Sequence, residues 1–325
     1  MRSIFRAADG AITTDLAPDA LAAAVAGGSG TLWIDVDSGN AGDLQTLARI
    51  FHIHPLHVED VGNPQSRVKV EDLPGRYVIV VARVVRFCEQ TEDPYDVETS
   101  NLNVLIGPNW VITAHQGVAP SVTEAADVVR RNTDLLERGP ARVGHMVLDA
   151  AIDAFFPLLD DIGGFVDDLE ERVFVRCETD VLREIFAVKR LVLSLRRYLS
   201  PQREVFGVLS NRPNQMLPVE VQVYFRDVYD HVLRVNDELD NYRELLSSVL
   251  DGYLSQVNNR LGQVTKSLSV VATLSLPFVV VSGMWGMNVT NIPLSQHPHG
   301  FLIMLIAQVI LGAALVITLR RRKLL

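Results

Sequence analysis

The most constraining feature of the sequence is its C-terminal part, where residues 267–319 contain no Asp, Glu, Lys or Arg. Two apolar segments, residues 267–287 and 300–319, lie inside this stretch, and a polar segment, residues 288–299, separates them. A helix of about 20 residues is long enough to cross the hydrocarbon core of a bilayer, and soluble domains seldom leave so long a stretch uncharged. We therefore predict a membrane protein with two transmembrane helices.

The charges on either side of this stretch predict the orientation of the chain. Residues 320–325 form a basic tail directly after the second apolar segment, and basic residues next to a span are retained in the cytoplasm. With two spans, residues 1–266 lie on the same side of the membrane and the segment 288–299 lies outside. We expect the inner (plasma) membrane, with both termini cytoplasmic.

The charge of the chain also limits its partners. All 39 acidic residues precede residue 252, and the formal net charge of the chain is −9. An acidic surface repels the phosphates of nucleic acids and attracts cations. We expect divalent cations and the lipid bilayer as partners, and no nucleic acid.

Residues 1–140 have the pattern of a cytoplasmic α/β domain. Helical patterns occupy residues 43–51 and 121–131. Runs rich in β-branched and aromatic residues, bounded by Gly, Pro, Asn or Asp, predict strands. These runs are residues 31–36, 77–85, 102–106 and 110–114.

Residues 141–266 have a helical pattern and predict a stalk. Apolar residues recur at three- and four-residue spacing over residues 143–174, where Pro157 and Gly163-Gly164 predict interruptions. No proline occurs over residues 219–276. Together with the first apolar segment this run predicts one helix of about 70 residues that leads into the membrane.

Several motifs carry a resemblance to a known family. Gly286-Met287-Asn288 at the end of the first apolar segment resembles the signature of the CorA family of divalent-cation channels. Four further segments are similar to the same family: HPLHVED (54–60), RVKVE (67–71), YFRDVYD (224–230) and YLSQV (253–257). The resemblance covers nearly the whole chain.

This resemblance implies a fold and a function. It implies a funnel-shaped homopentamer in which each protomer has an α/β cytoplasmic domain, long stalk helices and two C-terminal transmembrane helices. It implies Mg²⁺ uptake, with Co²⁺ and Ni²⁺ as further cargo, no enzymatic activity and no organic cofactor. Gly286, Met287 and Asn288 would form the selectivity filter, in which the Asn288 side chains bind a hydrated cation. From the residues alone, Asn288 is also typical of a helix C-terminal cap.

The resemblance also implies a pore stripe on the first span. An apolar stripe is equally typical of a face turned to lipid or to another helix, so the pore assignment comes from the resemblance. Leu268 and Leu276 would form apolar constrictions that gate by dewetting. The implied pore-lining residues are Thr265, Leu268, Ala272, Leu276, Val279 and Gly283.

Four acids are implied to bind regulatory Mg²⁺ between protomers: Glu59, Asp60, Asp149 and Asp227. Cytoplasmic Mg²⁺ at these acids would hold the channel closed, since carboxylates brought together repel unless a cation bridges them. Most acids on a protein surface are simply solvated. The flanking residues of Asp60 and Asp227 match the family best.

Two alternatives remain open at this point. The segment 288–299 has no acid and resembles the zinc-transporting ZntB branch of the superfamily, in which case His297 and His299 would bind Zn²⁺ and transport could be coupled to protons. A remote alternative is a membrane-tethered metal hydrolase, because His52, His54 and His57 have a spacing found in binuclear sites. No matching downstream His/Asp set supports that alternative.

Overall fold

The computed structural model describes residues 1–88, 91, 93–176, 178, 181–212, 214–287, 292–294 and 297–322. The chain divides into two compact units, Met1–Leu250 and Asp251–Leu325. The first unit contains a mixed β-sheet covered by helices. The second contains two long apolar helical segments.

The sheet of the first unit has seven strands in the order β2-β1-β3-β7-β6-β5-β4. Neighbouring strands are antiparallel, except that β3 and β7 are parallel, with Leu32 opposite Trp110. The four predicted strands form the centre of this sheet, and three strands at its edges were not predicted. The strands are β1 Arg2–Arg6, β2 Ile12–Thr14, β3 Thr31–Asp37, β4 Lys69–Leu73, β5 Tyr77–Phe87, β6 Val97–Ile106 and β7 Trp110–His115.

Helices cover both faces of this sheet. Helices α1 (Pro18–Ala26), α2 (Ala41–Ile50) and α3 (Pro55–Gly62) contribute Leu21, Leu47 and Val61 to the core on one face. Helices α4 (Pro120–Arg131) and α5 (Pro140–Asp153) lie on the other side, and a 3-10 helix, Thr133–Arg138, joins them. A Cβ on Gly144 of α5 would lie 2.7 Å from the Ile106 side chain, so α5 packs directly on β6.

The predicted interruptions at Pro157 and Gly163-Gly164 are wrong. The break occurs at Ala154, between α5 and α6 (Phe155–Phe174). Pro157 lies in the first turn of α6, where the missing N–H would have no partner in the helix. Gly163 lies inside α6, and a Cβ there would come within 2.8 Å of the Tyr242 hydroxyl. This glycine permits close packing and does not end the helix.

The predicted long helix is present. After α7 (Leu182–Asn211), α8 runs without interruption over Val219–Trp285 and contains Pro277. In the first unit, one side of α8 is buried through apolar residues spaced three, four or seven apart, which is helical periodicity. These are Val221, Phe225, Val228, Val232, Val235, Leu239, Leu246 and Val249.

In the second unit, α8 packs against α9, which covers Gly300–Arg321. Gln308 Nε2 donates a hydrogen bond of 3.4 Å to Ser282 Oγ, and a Cβ on Gly312 would lie 2.7 Å from the Phe278 ring. Both helices are long and apolar enough to cross a membrane. Many of their large apolar side chains are exposed, which is unfavourable in water and favourable in lipid.

Candidate metal centres and ion path

Two of the predicted metal ligands, Glu59 and Asp60, lie on α3. This short helix begins with Pro55 in its first turn, and His54 Nδ1 caps it by accepting a hydrogen bond of 3.3 Å from the N–H of Leu56. Glu59 is exposed and Asp60 is half-buried. The two neighbouring acids therefore have different surroundings.

Asp60 has a cationic partner inside its own protomer. Lys69 Nζ of β4 lies 2.7 Å from Asp60 Oδ2 and 2.8 Å from Glu71 Oε1. Burial alone would lower the pKa of Lys69, but the hydrogen bonds to Asp60 and Glu71 raise it above its usual value. Lys69 is therefore a fixed positive charge between two carboxylates.

His57 extends this network into the core. Its ring is buried, with Nδ1 2.8 Å from the Tyr77 hydroxyl and Nε2 2.8 Å from Glu71 Oε2. Hydrogen bonds to Lys69 and then to His57 lower the pKa of Glu71. The network fixes the end of α3 that carries Asp60 against β4 and β5.

The contacts of the three clustered histidines do not support a hydrolase site. Both ring nitrogens of His57 have hydrogen-bond partners and His54 caps α3, whereas His52 is exposed. Among the described residues, the one group of His, Cys, Asp and Glu side chains close enough to hold a metal ion lies elsewhere.

That group consists of Asp149, Asp153 and His231. Asp149 and Asp153 are one turn apart on α5, and His231 is on α8. One ligand atom from each lies within 4.8 Å of the other two, and His231 Nδ1 is 2.8 Å from Asp153 Oδ1. Burial and the nearby charge of Asp153 raise the pKa of Asp149 to about 6. The sequence analysis named Asp149 but missed Asp153 and His231.

Asp227 precedes His231 by one turn of α8 and is exposed. Its negative charge also raises the pKa of Asp149, after the larger effects of burial and Asp153. Within the described residues, no hydrogen bond or ion pair joins Glu59 or Asp60 to Asp149 or Asp227. The protomer thus places the four predicted acids in two separate groups.

A partly buried contact joins α5 to α8 next to these acids. The Arg142 guanidinium lies 3.6 Å from the centre of the Tyr224 ring and 3.0 Å from His145 Nδ1. His145 also packs edge-on against Phe225, at 5.3 Å between ring centres. Burial and the adjacent Arg142 charge lower the pKa of His145 to about 4. A neutral His145 is therefore part of the interface between α5 and α8.

All six predicted pore residues lie on α8 and are exposed. Phe278 and Trp285, in contrast, contact α9 through Gly312 and Gly300. The side chains of Leu268 and Leu276 are 69% and 65% exposed, although both are large and apolar. The protomer therefore presents a mostly apolar stripe on α8 that α9 does not cover.

The predicted filter begins where α8 ends. Gly286 donates its backbone N–H to Ser282 O at 3.0 Å, and Met287 donates to Met284 O at 3.4 Å. Asn288 lies outside the described residues. In the following segment, His297 Nδ1 accepts a hydrogen bond of 3.2 Å from the N–H of His299, and their ring centres are 6.1 Å apart.

This chain is similar to three known proteins. The chain is 28% identical over 293 residues to the cobalt/magnesium transport protein CorA of Thermotoga maritima, and the match covers 90% of this chain and 82% of that protein. It is 27% identical over 199 residues to the zinc transport protein ZntB of Pectobacterium atrosepticum, covering 59% of each. The fold is similar to that of the CorA magnesium transporter of Methanocaldococcus jannaschii, with a TM-score of 0.82, 20% identity and coverage of 98% and 97%.

A family profile matches most of the sequence. The profile, described as CorA-like Mg²⁺ transporter protein, matches residues 28–321. This range includes the centre of the sheet, all of α8 and both apolar segments. The chain therefore belongs to the CorA-like family of Mg²⁺ transporter proteins.

Proposed function

We propose that the protein is a homopentameric channel for Mg²⁺ uptake in the inner membrane, with both termini in the cytoplasm. The observation that carries this proposal is the exposed stripe on α8, which one protomer cannot cover. Two helices from one chain enclose no pore, whereas five copies of α8 around an axis would. The basic residues Arg320 and Arg321 in the last turn of α9, and Arg322 directly after it, favour a cytoplasmic C-terminus.

The stripe is the proposed ion path. Leu268 and Leu276 lie two turns apart on it and would form two apolar rings, which close a pore to hydrated ions when water leaves it. A divalent cation that moves inward down a potential of 100 mV gains about 4.6 kcal/mol, so uptake needs no coupling to another ion.

Asn288 is the proposed filter residue. Mg²⁺ keeps its water ligands tightly, and amide oxygens can accept hydrogen bonds from those waters without displacing them. Five copies of Gly286-Met287-Asn288 at the ends of five α8 helices would place such a ring at the outer mouth. Met287 and Gly286 would then set the backbone geometry of the ring.

The four acids are the proposed sensors of cytoplasmic Mg²⁺. In one protomer the four acids form two separate groups, so a cation that binds both groups needs two protomers. Glu59 and Asp60 of one protomer would then meet Asp149 and Asp227 of a neighbouring copy. Mg²⁺ between the groups would cancel their repulsion and favour the closed state. Loss of the ion would loosen the contact and favour opening.

The test is Mg²⁺ uptake by proteoliposomes that contain a Mg²⁺-sensitive dye. Asn288→Ala should abolish or strongly reduce uptake and leave the oligomer intact, while the matched variant Asn291→Ala should transport normally. Hexaamminecobalt, which resembles hydrated Mg²⁺ but does not exchange its ligands, should block the wild type. Normal uptake by an assembled Asn288→Ala variant would contradict the filter, and a mass other than that of five protomers would contradict the pentamer.

Zinc transport is the second candidate, favoured by the similarity to ZntB and by the adjacent rings of His297 and His299. Imidazole is a good ligand for Zn²⁺ and a poor one for Mg²⁺. We expect the double variant His297→Ala/His299→Ala to retain Mg²⁺ uptake. The opposite result has three parts: the wild type takes up Zn²⁺ alone, this uptake depends on a pH gradient, and the double variant loses it. That result would replace the magnesium proposal with the zinc proposal.

A further inference from the structure

A cavity of about 520 Å³ lies in the first unit, beside the end of strand β7. Strand β7 ends at His115, opposite Leu102, whereas β6 already begins at Val97 and, among the described strands, pairs there with β5 alone. After β7 the chain turns away at Gly117, whose φ of +71° favours glycine. The break between α5 and α6 forms another wall of the cavity. The cavity therefore results from the lengths of the strands and the turn of the chain.

Most of the cavity wall is apolar. A volume of this size is typical of pockets that hold small organic molecules, which are lined by apolar side chains and a few polar groups. The lining belongs to one protomer and includes none of the residues of the proposed filter, pore or sensor. The apolar wall is formed by Val118, Pro120, Ala151, Ala154, Pro157 and Leu158.

The N-terminus of α4 forms a polar end of the cavity. Its N-cap residue is Ala119, which provides no side-chain cap, and the following Pro120 has no N–H. The backbone N–H groups of Ser121 and Val122 have no hydrogen-bond partner among the described residues. Free N–H groups at the start of a helix favour an anion.

The side chain of Ser121 gives independent support for a ligand here. Ser121 lines the cavity and is only 6% exposed, and its hydroxyl has no hydrogen-bond partner among the residues that the structure describes. A buried hydroxyl without a partner is unfavourable, and an acceptor in the cavity would satisfy it. A carboxylate accepts several hydrogen bonds, whereas an ammonium group accepts none. The donors at this end therefore favour a carboxylate.

The charged residues of the lining favour a ligand with a single negative charge. Arg86 lines the cavity, and its Nε contacts Glu98 Oε1. Glu98 and Asp161 are exposed, so water screens their charges from one carboxylate. A ligand with several phosphates would bring more negative charge close to both acids. An apolar molecule with one carboxylate fits this lining better than a nucleotide does.

We propose that this cavity binds a small amphipathic monocarboxylate. Its carboxylate accepts hydrogen bonds from the Ser121 hydroxyl and from the free N–H groups at the start of α4. Its apolar body lies against Val118, Ala154 and Leu158. Binding involves one protomer and does not require transport.

The test is isothermal titration calorimetry of the full-length protein in detergent at neutral pH, with 2-naphthoate as the probe. A titration of protein-free micelles is subtracted. The wild type should bind one 2-naphthoate per protomer, and 2-naphthylmethylamine, a cation of similar shape, should bind at least about tenfold more weakly. Ser121→Ala should weaken 2-naphthoate binding about fivefold or more, while Ser200→Ala, at an exposed serine of α7, should bind like the wild type.

A second pair of variants tests the apolar part of the cavity. Ala154→Trp, at an exposed position of the lining, should fill the cavity and abolish 2-naphthoate binding. Ala22→Trp, at an exposed position of α1, should leave binding unchanged. Two results with the wild type alone would overturn the proposal: no binding above the micelle titration, or equal affinity for the amine and the carboxylate. Unchanged affinity in folded Ser121→Ala or folded Ala154→Trp would overturn it as well.

Discussion

Lys69 Nζ lies 2.7 Å from Asp60 Oδ2, so a lysine of the same protomer already neutralises an acid that the sequence motifs favour as a metal ligand. The same ammonium contacts Glu71 at 2.8 Å. A divalent cation that binds Asp60 would have to share the carboxylate with Lys69 or displace it. Lys69 thus competes with the ion for the Asp60 carboxylate.

Removal of this competing charge should strengthen Mg²⁺ binding. We expect Lys69→Gln to lower the Mg²⁺ concentration that half-inhibits uptake by about 3- to 10-fold, because a partly exposed ion pair contributes about 1 kcal/mol. Lys69→Arg keeps the charge and should remain close to the wild type. An unchanged inhibitory concentration in Lys69→Gln would show that Asp60 binds no regulatory cation.

The proposed sensor itself can be tested by protection against proteolysis. Mg²⁺ should protect the wild type, because it holds the acids of neighbouring protomers together. Asp60→Ala/Asp227→Ala should lose this protection, while Asp72→Ala, at an exposed acid of β4, should keep it. Equal protection of the wild type and the double variant would mean that both acids are ordinary solvated residues.

His145 should make the stability of the N-terminal unit depend on pH. Its pKa is about 4 in the folded protein, below the usual 6.5, so the unfolded chain binds a proton more readily between these values. The free energy of unfolding therefore contains the full contribution of neutral His145 above pH 6.5. This contribution decreases by up to about 3 kcal/mol as the pH falls to 4. The measurement is the thermal midpoint against pH, followed by the fluorescence of buried Trp33 and Trp110.

Two histidine variants test whether His145 causes this pH dependence. His145→Gln should have a smaller decrease in midpoint between pH 6.5 and 4 than the wild type. His52→Asn, at an exposed histidine with a positive φ that Asn tolerates, should retain the full decrease. Identical pH profiles for His145→Gln and the wild type would refute the role of His145.

The contact between α8 and α9 depends on the absence of a side chain at Gly312. A Cβ there would lie 2.7 Å from the Phe278 ring, so Gly312→Leu should force the helices apart. We expect the midpoint of thermal aggregation in detergent to fall by about 5 °C or more. Gly262→Leu, where a Cβ would meet nothing within 4 Å, should change it little. Equal midpoints for both variants would show that this contact is unimportant for stability.

Much of the architecture could be predicted because it depends on local patterns. The proline-free run before Pro277 predicted α8 to within a few residues, and continuous apolar runs predicted β3, β5, β6 and β7. The edge strands carry no such run: β2 is fully exposed, and β4 is mostly charged. Their pairing with β1 and β5 is a tertiary effect that local propensity does not reveal.

The candidate sites were harder to predict because their partners lie far apart in the sequence. The spacing of Asp149 and Asp153 on one helix was a usable signal that we did not interpret. His231 meets them only because α5 and α8 pack side by side. Lys69 lay within a motif that carried the family resemblance, but nothing in that motif indicated that it would pair with Asp60.

The parallel pair β3–β7 has a consequence for the order in which the protein folds. Thr113 Oγ1 donates to Ile34 O at 3.3 Å, and these residues are 79 positions apart in the chain. At typical rates of synthesis, β3 therefore waits about 4 to 16 s on the ribosome before its parallel partner β7 exists, although β1 already precedes it. Strands β5, β6 and β7 are consecutive and antiparallel, so this local meander can form first. A nascent chain that is released or delayed before β7 would leave one edge of the apolar strand β3 unpaired, with β1 alone beside it, and an unpaired apolar edge is a template for aggregation.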